Sequence, residues 1–535
     1  MKRYLALLLC VVMALGCFSF ATAEEKPHLT VWFPMDLRIE DMETNWQTRY
    51  LEEQANVDLE FIIQPSGSDY TTKVNMAMTA GKIEDLPDII IGSFSDTNVL
   101  DWALNETIVP LTEYYNDPEK SVNTREAFER TGVEYTKQIT SPDGNIYGFA
   151  NLNQSYYNEF PSKMWVNGEW LAKLGMSLPT TPDELYEVLK ATVATDLNGN
   201  GKADEIGICG TFGANGKWDG WFDYIMNAYV YAGDGQFRTV DDGVVGLAYT
   251  TEEWKEGLKF IKKLFDENLI LAESLTMDEK QCEVVLNSED LSVMFMNYFS
   301  PALADVTRKD AYDFVLPLTG PNGVRYATYA PSTASIRMVV TANCKDVEAA
   351  FRVGDVCSNE LIGIAQRFGE PGKEWDYARD LADLSPYTTT IKNVEMSIVT
   401  YHDNVFWAGS EVMNASWRQQ GPMVRQYWVA NGMATSPDAV DLPALKLGEA
   451  AVAYQEGGFA PAEVIPKAIY SADEAEAISE IESNLRNYVW EMTAAFLMGN
   501  SDIDADWDSF QAELKNIGSE TYIEVVQAVY DRMYK

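Results

Sequence analysis

The chain has 535 residues, 46% hydrophobic and 23% charged, which excludes a mainly disordered polymer. Against 40 Lys+Arg it carries 82 Asp+Glu, a net charge of −42, and a field of that sign disfavours nucleic acid and anionic lipid as partners. The 2 histidines, His28 and His402, are too few for a multi-His zinc site and argue against a Ser-His-Asp hydrolase.

Taken in chain order, Met1-Lys2-Arg3 is basic, residues 4–20 are apolar, and Ala21-Thr22-Ala23 is a small-x-small cleavage site before Glu24-Glu25. This pattern predicts a secretory signal peptide over residues 1–23. A second reading stands beside it: Ala14-Leu15-Gly16-Cys17 is lipobox-like and would make Cys17 a lipid anchor. The apolar Phe-Ser-Phe-Ala after Cys17 favours cleavage after Ala23. No later stretch reaches the ~20 apolar residues of a membrane span, so an exported, soluble mature chain is expected.

Strands are expected at residues 28–33, 57–64 and 88–91, alternating with helices at 45–54 and 70–80, the latter closed by Gly81. That alternation predicts a parallel sheet with helices on its faces, whose ligands sit beyond the carboxyl ends of the strands. A second unit starts near residue 150. Thr181-Pro182-Asp183-Glu184 is a capping box opening a helix to about Ala194. Trp254, Leu258, Ile261, Leu264 and Phe265 share one helix face, and strands are expected at 291–296, 312–317 and 336–341. A single helix is expected over 347–368, and the chain ends in helices at 478–496, 504–515 and 522–534. Cys209, Cys282, Cys344 and Cys357 include no Cys-x-x-Cys pair. A Cys344–Cys357 bridge is one reading, and four free, buried thiols are the expectation.

Asp196-Leu197-Asn198-Gly199-Asn200-Gly201-Lys202-Ala203-Asp204-Glu205 is the most specific local motif. Oxygen-bearing side chains stand at loop positions 1, 3, 5 and 9, a glycine stands at 6, and position 7 offers a carbonyl. A hard cation such as calcium takes this kind of irregular oxygen cage. Position 12 is Gly207 rather than glutamate, so Glu205 must supply the last carboxylate, and the following Ile206-Gly207-Ile208 is not helical. The predicted ligands are Asp196, Asn198, Asn200, Lys202 (carbonyl), Asp204 and Glu205, in a structural role.

Aromatic residues make up 12% of the chain, and several fall in apparent loops: Tyr156-Tyr157, Trp218 and Trp221, Tyr298, and Phe406-Trp407. Such faces suit stacking on sugar rings. Trp170 and Trp254, on helix faces, read as core.

Asp85-Leu86-Pro87-Asp88-Ile89-Ile90 after a glycine-terminated helix, Asp143-Gly144-Asn145-Ile146-Tyr147-Gly148, and the block from Trp165 to Gly175 running into the oxygen-rich loop form an ordered series. Arg367-Phe368-Gly369-Glu370-Pro371-Gly372, Gly421-Pro422 with Arg425, and Met498-Gly499 through to Trp507 extend it. In this series the chain resembles the family 1 extracellular solute-binding proteins of ABC importers, above all the subgroup containing the alginate-oligosaccharide binders. The resemblance implies a two-lobed α/β fold, periplasmic-binding-protein-like (type II), with an interlobe cleft and an all-α C-terminal end. It implies lobe 1 over 24–150 and 300–395, and lobe 2 over 151–299 and 396–535. It also implies structural calcium at Asp196–Glu205, a ligand-closed cleft, and a membrane permease as partner.

Relatives in that subgroup carry Ile-Arg-x-Asp-Trp where this chain has Val166-Asn167-Gly168-Glu169-Trp170. The missing basic residue and the net charge of −42 favour a neutral oligosaccharide over an acidic one. The expected ligand platform is Trp165, Trp218, Trp221, Tyr298 and Trp407, with Asn297 as the polar neighbour of Tyr298 and Asn167 and Arg425 at hydroxyls; a buried structural arginine is the other reading of Arg425. The implied protein is a monomer without turnover, outside the cytoplasm, touching the membrane only through its permease or a Cys17 anchor. The rival readings are a secreted carbohydrate-active enzyme and a sugar sensor or adhesion protein.

Overall fold

The computed structural model describes residues 26–213, 220–288, 293–298, 306–401, 411–436 and 442–535. Its first strands are β1 (His28–Pro34), β2 (Asp58–Gln64), β3 (Ile89–Ile91) and β4 (Phe149–Asn153). β1 pairs in parallel with both β2 and β3. The Ile-Ile-Ile of β3 is buried throughout, as a strand covered on both faces requires. The helix Trp46–Ala55 starts where the Asn45 side chain accepts from the Gln47 N–H at 3.0 Å. The helix Gly67–Ala80 stops at Gly81, whose φ of 65° lies in the left-handed region.

The chain then crosses to a second sheet: β5 (Lys163–Asn167), β6 (Ile206–Ile208), the hairpin β7 (Arg238–Asp241) and β8 (Val244–Leu247) alongside it, β9 (Val293–Tyr298) and β10 (Tyr312–Val315). The order in this sheet is β10-β5-β9-β6. A return crossing leads to β11 (Ser335–Val340), which lies antiparallel between β3 and β4. A small sheet follows, made of β12 (Trp375–Tyr377), β13 (Thr388–Thr389), β14 (Ile398–Thr400) and, after β15 (Met423–Arg425), β16 (Ala434–Thr435). β15 runs parallel to β4 and completes the first sheet in the order β15-β4-β11-β3-β1-β2.

Each large sheet has its own core. Leu29, Val31, Phe33, Ile90, Phe149, Val339 and Phe351 pack in the first lobe. Phe222, Trp254, Leu258, Ile261 and Phe295 pack in the second, against Leu485, Val489 and Phe496 of the long helix Ala472–Leu497. That helix and its successors, Ile503–Ile517 and Ser519–Tyr534, form the expected α-helical end. Among the described residues no helix is long and apolar enough to cross a membrane.

Two segments sit on the other side of the expected division. Residues 312–315 lie in the second sheet, antiparallel to β5, so the return crossing falls between β10 and β11 rather than near residue 300. β15 and the described residues 411–422 ahead of it join the first lobe, whose Gln47 and Thr48 bind the main-chain and indole N–H of Trp417, each at 2.9 Å. The final crossing therefore falls between β16 and the helix Leu442–Glu456 rather than at 395. A strand as short as Met423-Val424-Arg425 carries no readable period. The expected helix over 347–368 is also two helices, Val347–Val356 and Glu360–Phe368. Asn359 breaks it by accepting from the Ile362 N–H at 2.8 Å, an N-cap in mid-pattern.

Candidate ligand-binding site

Carboxyl ends of parallel strands present unpaired backbone and loop side chains, and here those of β4 and β15 lie side by side where the chain leaves for the second lobe. One helical turn, Tyr156–Glu159, carries the first crossing. The Glu159 side chain is 3% exposed, accepts from the Ser332 N–H at 3.3 Å and is bound by the Tyr427 hydroxyl. Its main-chain oxygen accepts from the Ala330 N–H at 2.8 Å. Thus the outgoing crossing, the return crossing and the segment after β15 converge on one buried carboxylate. Burial and the Glu159 carboxylate hold the Tyr427 phenol well above its ordinary range, so it stays a donor.

Half-buried aromatic rings surround this carboxylate. Tyr156 packs on Tyr427 with centroids 5.1 Å apart, and Tyr329 on Phe160 at 5.3 Å. The Tyr157 hydroxyl shares a 2.7 Å hydrogen bond with Thr390. Beside Tyr156 opens a groove of about 460 Å³, walled by Lys392, Val394, Glu449, Val452 and Glu456. Lys392 and Glu449 form an ion pair across it. Aromatic faces beside charged and hydroxyl groups in a concave site of this size suit a polyhydroxylated solute.

Arg425 is 3% exposed, and its Nε donates to Asn153 Oδ1 at 2.9 Å. Burial, aided by Arg367, brings its guanidinium down to about 9. On the second-lobe side Asn297, near the end of β9, is buried and accepts from the Ser162 hydroxyl. Lys163 is buried at the start of β5, its ammonium donating to the Phe160 carbonyl, and burial lowers it to about 7.

The expected aromatic platform is redistributed. Trp165 is 0% exposed in a core with Cys209, Met296 and Tyr312. Trp221 is 0% exposed and donates its indole N–H to the Thr211 carbonyl at 2.9 Å. Neither offers a face to a ligand, because β5 is covered on both sides and the helix Gly220–Met226 lies inside the second core. Asn167 caps the helix Gly168–Leu174 by accepting from the Trp170 N–H at 3.1 Å, a structural duty. Tyr298 closes β9 opposite Lys163. Trp218 and Trp407 lie outside the described residues. Sequence reasoning missed Glu159, Tyr329, Thr390 and Tyr427; the Tyr156-Tyr157 pair in a crossing loop was the available signal.

In the loop 196–205 the oxygen donors fold inward. Asp196 accepts from the Gly199 and Gly201 N–H groups at 2.7 and 2.9 Å. Asn198 accepts from Asn200 N–H, and Asn200 from Lys202 N–H, both at 2.9 Å. Gly199 and Gly201 take φ of 81° and 86°, open to glycine without strain. Glu205 is 5% exposed; its Oε1 binds Leu197 and Asn198 N–H at 2.5 and 2.9 Å, while its Oε2 is buried without a partner. Among the described residues no three His, Cys, Asp or Glu side chains gather as a metal group. The donor chemistry, all oxygen with one orphaned carboxylate atom, nevertheless fits a hard cation.

Residues 40–357 match the family described as bacterial extracellular solute-binding protein. The chain is 26% identical over 492 residues to the fructooligosaccharide ABC transporter substrate-binding protein FusA of Streptococcus pneumoniae, covering 90% of this chain and 86% of that one. Its fold is shared with an HMO-binding, ABC-transporter-associated solute-binding protein of Bifidobacterium longum infantis, at a TM-score of 0.76 and 21% identity over 96% and 99% of the two chains. FusA solved as an EF-hand mutant with fructo-nystose superposes at a TM-score of 0.70, with 22% identity over 94% of this chain and 99% of that one. The alginate-binding protein AlgQ2, solved without calcium ion, superposes at 0.61, with 18% identity over 95% and 99%.

Proposed function

The chain belongs to the bacterial extracellular solute-binding proteins, and we propose that its solute is a neutral oligosaccharide handed to the permease of an ABC importer. The observation that carries this reading is the aromatic and carboxylate cluster of Tyr156, Glu159, Tyr329 and Tyr427 at the crossings between the lobes. The likeness to FusA over 90% of the chain supports a neutral sugar. Ring faces stack on the sugar, while Glu159, Arg425 and the tyrosine hydroxyls take its hydroxyl groups. A ligand bridging both lobes binds the closed form more tightly and shifts the population towards it. Only the closed form then docks productively on the permease.

The protein works outside the cytoplasm as a monomer, by this reading, and returns its ligand unchanged. Release through cleavage after Ala23 and anchoring at Cys17 are its two routes to that location. Calcium sits in the loop 196–205, with Asp196, Asn198, Asn200, the Lys202 carbonyl, Asp204 and Glu205 as ligands, and braces the entry to β6. Trp218, Tyr298 and Trp407 remain the second-lobe candidates for stacking.

A thermal-shift panel of fructo-oligosaccharides, other neutral oligosaccharides and oligo-uronates tests the reading. A ligand at 100 times its dissociation constant adds about 2.7 kcal/mol, a shift of several degrees. Stabilisation by oligo-uronates alone, or by no oligosaccharide at all, overturns it.

A further inference from the structure

The Sγ atoms of Cys209 and Cys282 lie 3.9 Å apart, although 73 residues separate them in sequence. Among the described residues this is the one pair of cysteines in sulfur contact; Cys344 and Cys357, also buried, sit in the other lobe's core. Cys209 directly follows β6, and its N–H donates to the Phe295 carbonyl of β9 at 3.4 Å. Cys282 lies on the helix Glu279–Leu286, fixed at its start by the reciprocal Asp278–Gln281 capping box. Trp165, Val293 and Met296 enclose the pair. Both sulfurs are therefore carried by well-anchored elements that face each other. The family places the protein in an extracellular compartment, where disulfides form and persist.

We propose that in the exported protein Cys209 and Cys282 are joined by a disulfide that ties the segment after β6 to the helix Glu279–Leu286. A thiol–disulfide oxidoreductase or a low-molecular-weight disulfide is the oxidant. One cysteine thiolate attacks the external disulfide, forming a mixed disulfide and releasing one external thiolate; the second cysteine thiolate then attacks the protein sulfur of that mixed disulfide and displaces the other external thiolate. Two protein thiols and one external disulfide become one protein disulfide and two external thiols, which take up both electrons and both protons. The sulfurs need to approach by about 2 Å to reach bonding distance. Cys209 and Cys282 are 1% and 0% exposed, closed to an external oxidant, and the neighbouring Cys282 thiol together with burial pushes the Cys209 thiol far up, so neither access nor thiolate remains once the core has closed. The bond consequently forms while the second lobe is still folding, and it is structural rather than a reversible switch. It fixes the base of Gly210–Gly213, whose first N–H already reaches Ser274 Oγ at 3.4 Å, just ahead of the segment carrying Trp218.

The test is thiol mapping on the whole secreted chain, independent of any ligand. The protein is purified without reductant, or denatured, reduced and refolded with oxidised and reduced glutathione. It is then unfolded in the presence of an alkylating reagent. The expected result is alkylation at Cys344 and Cys357 only, with a non-reduced peptide pair joining Cys209 to Cys282, about 2 Da lighter than the two reduced peptides. C209S and C282S should each melt several degrees below the oxidised wild type and level with wild type refolded in reductant. Should either variant fail to fold, the wild-type peptide map decides the question. Alkylation of all four cysteines after both preparations, or a Cys344–Cys357 link instead, overturns the proposal.

Discussion

Replacing Trp165 by alanine and, separately, Tyr156 by alanine sets a core role against a binding role. Trp165 is wholly enclosed in the second lobe, and its ring meets Phe314 edge-on at 6.5 Å. Its removal opens a cavity in a covered sheet and costs about 3–5 kcal/mol. For a unit of this size, that lowers the melting midpoint by about 6–20 °C. Tyr156 is half-buried, and its stability role is the ring contact with Tyr427, worth about 0.5–1.5 kcal/mol. Losing a stacking face weakens binding by about 1–3 kcal/mol, or about 5- to 150-fold. Differential scanning calorimetry on both variants, and titration calorimetry well below the lower midpoint with the best ligand of the panel, give the two readouts. Trp165→Ala should melt early yet bind within a few-fold of wild type, and Tyr156→Ala should do the reverse. A Trp165→Ala protein with an unchanged midpoint and lost affinity, or a Tyr156→Ala protein that binds as wild type, refutes the assignment.

Three further outcomes are expected. Chelating calcium should lower the melting midpoint, and Asp196→Ala should reproduce that loss without further response to chelator; metal analysis showing no bound calcium after purification in calcium removes the site. His28 hydrogen-bonds Asp58 at 2.7 Å and Glu60 at 3.0 Å, and these partners raise its pKa above 6.5. The stability it contributes is complete below pH 6.5 and is lost as pH rises through the folded value. With His402 the only other imidazole, NMR titration reads His28 directly; a value at or below 6.5, or no fall in Asp58→Asn, contradicts the contact. Finally, prolonged incubation with a bound oligosaccharide should return it intact by mass spectrometry, and cleavage abolished by one Asp or Glu substitution would make the protein an enzyme.

Legibility in the sequence followed the range of the interactions. Gly81 as a helix stop and Thr181 as a cap are decided within a turn of chain, and the structure has both. The single helix expected over 347–368 failed because hydrophobic spacing continues through Asn359 while its side chain starts a new helix. Trp165 is expected on the ligand platform, and no strand is expected around it, because Lys-Met-Trp-Val-Asn lacks alternation; a strand covered on both faces has none to show. The Glu159–Tyr427 contact joins residues 268 positions apart, and no local pattern announces such a meeting. The oxygen-rich loop was readable because all its donors are neighbours in the chain.

The place of β15 in the first sheet governs the order in which the protein can be finished. Arg425 and Asn153 are 272 residues apart, yet their strands lie side by side. Contacts of such separation carry a large loop-closure cost and form slowly. Until residues 423–425 arrive, β4 has a partner on one side only, and its other edge is an unpaired template for wrong pairing. Most of the chain must therefore emerge before the first lobe can close, and a chain cut short ahead of β15 exposes an aggregation-prone edge rather than a smaller folded lobe.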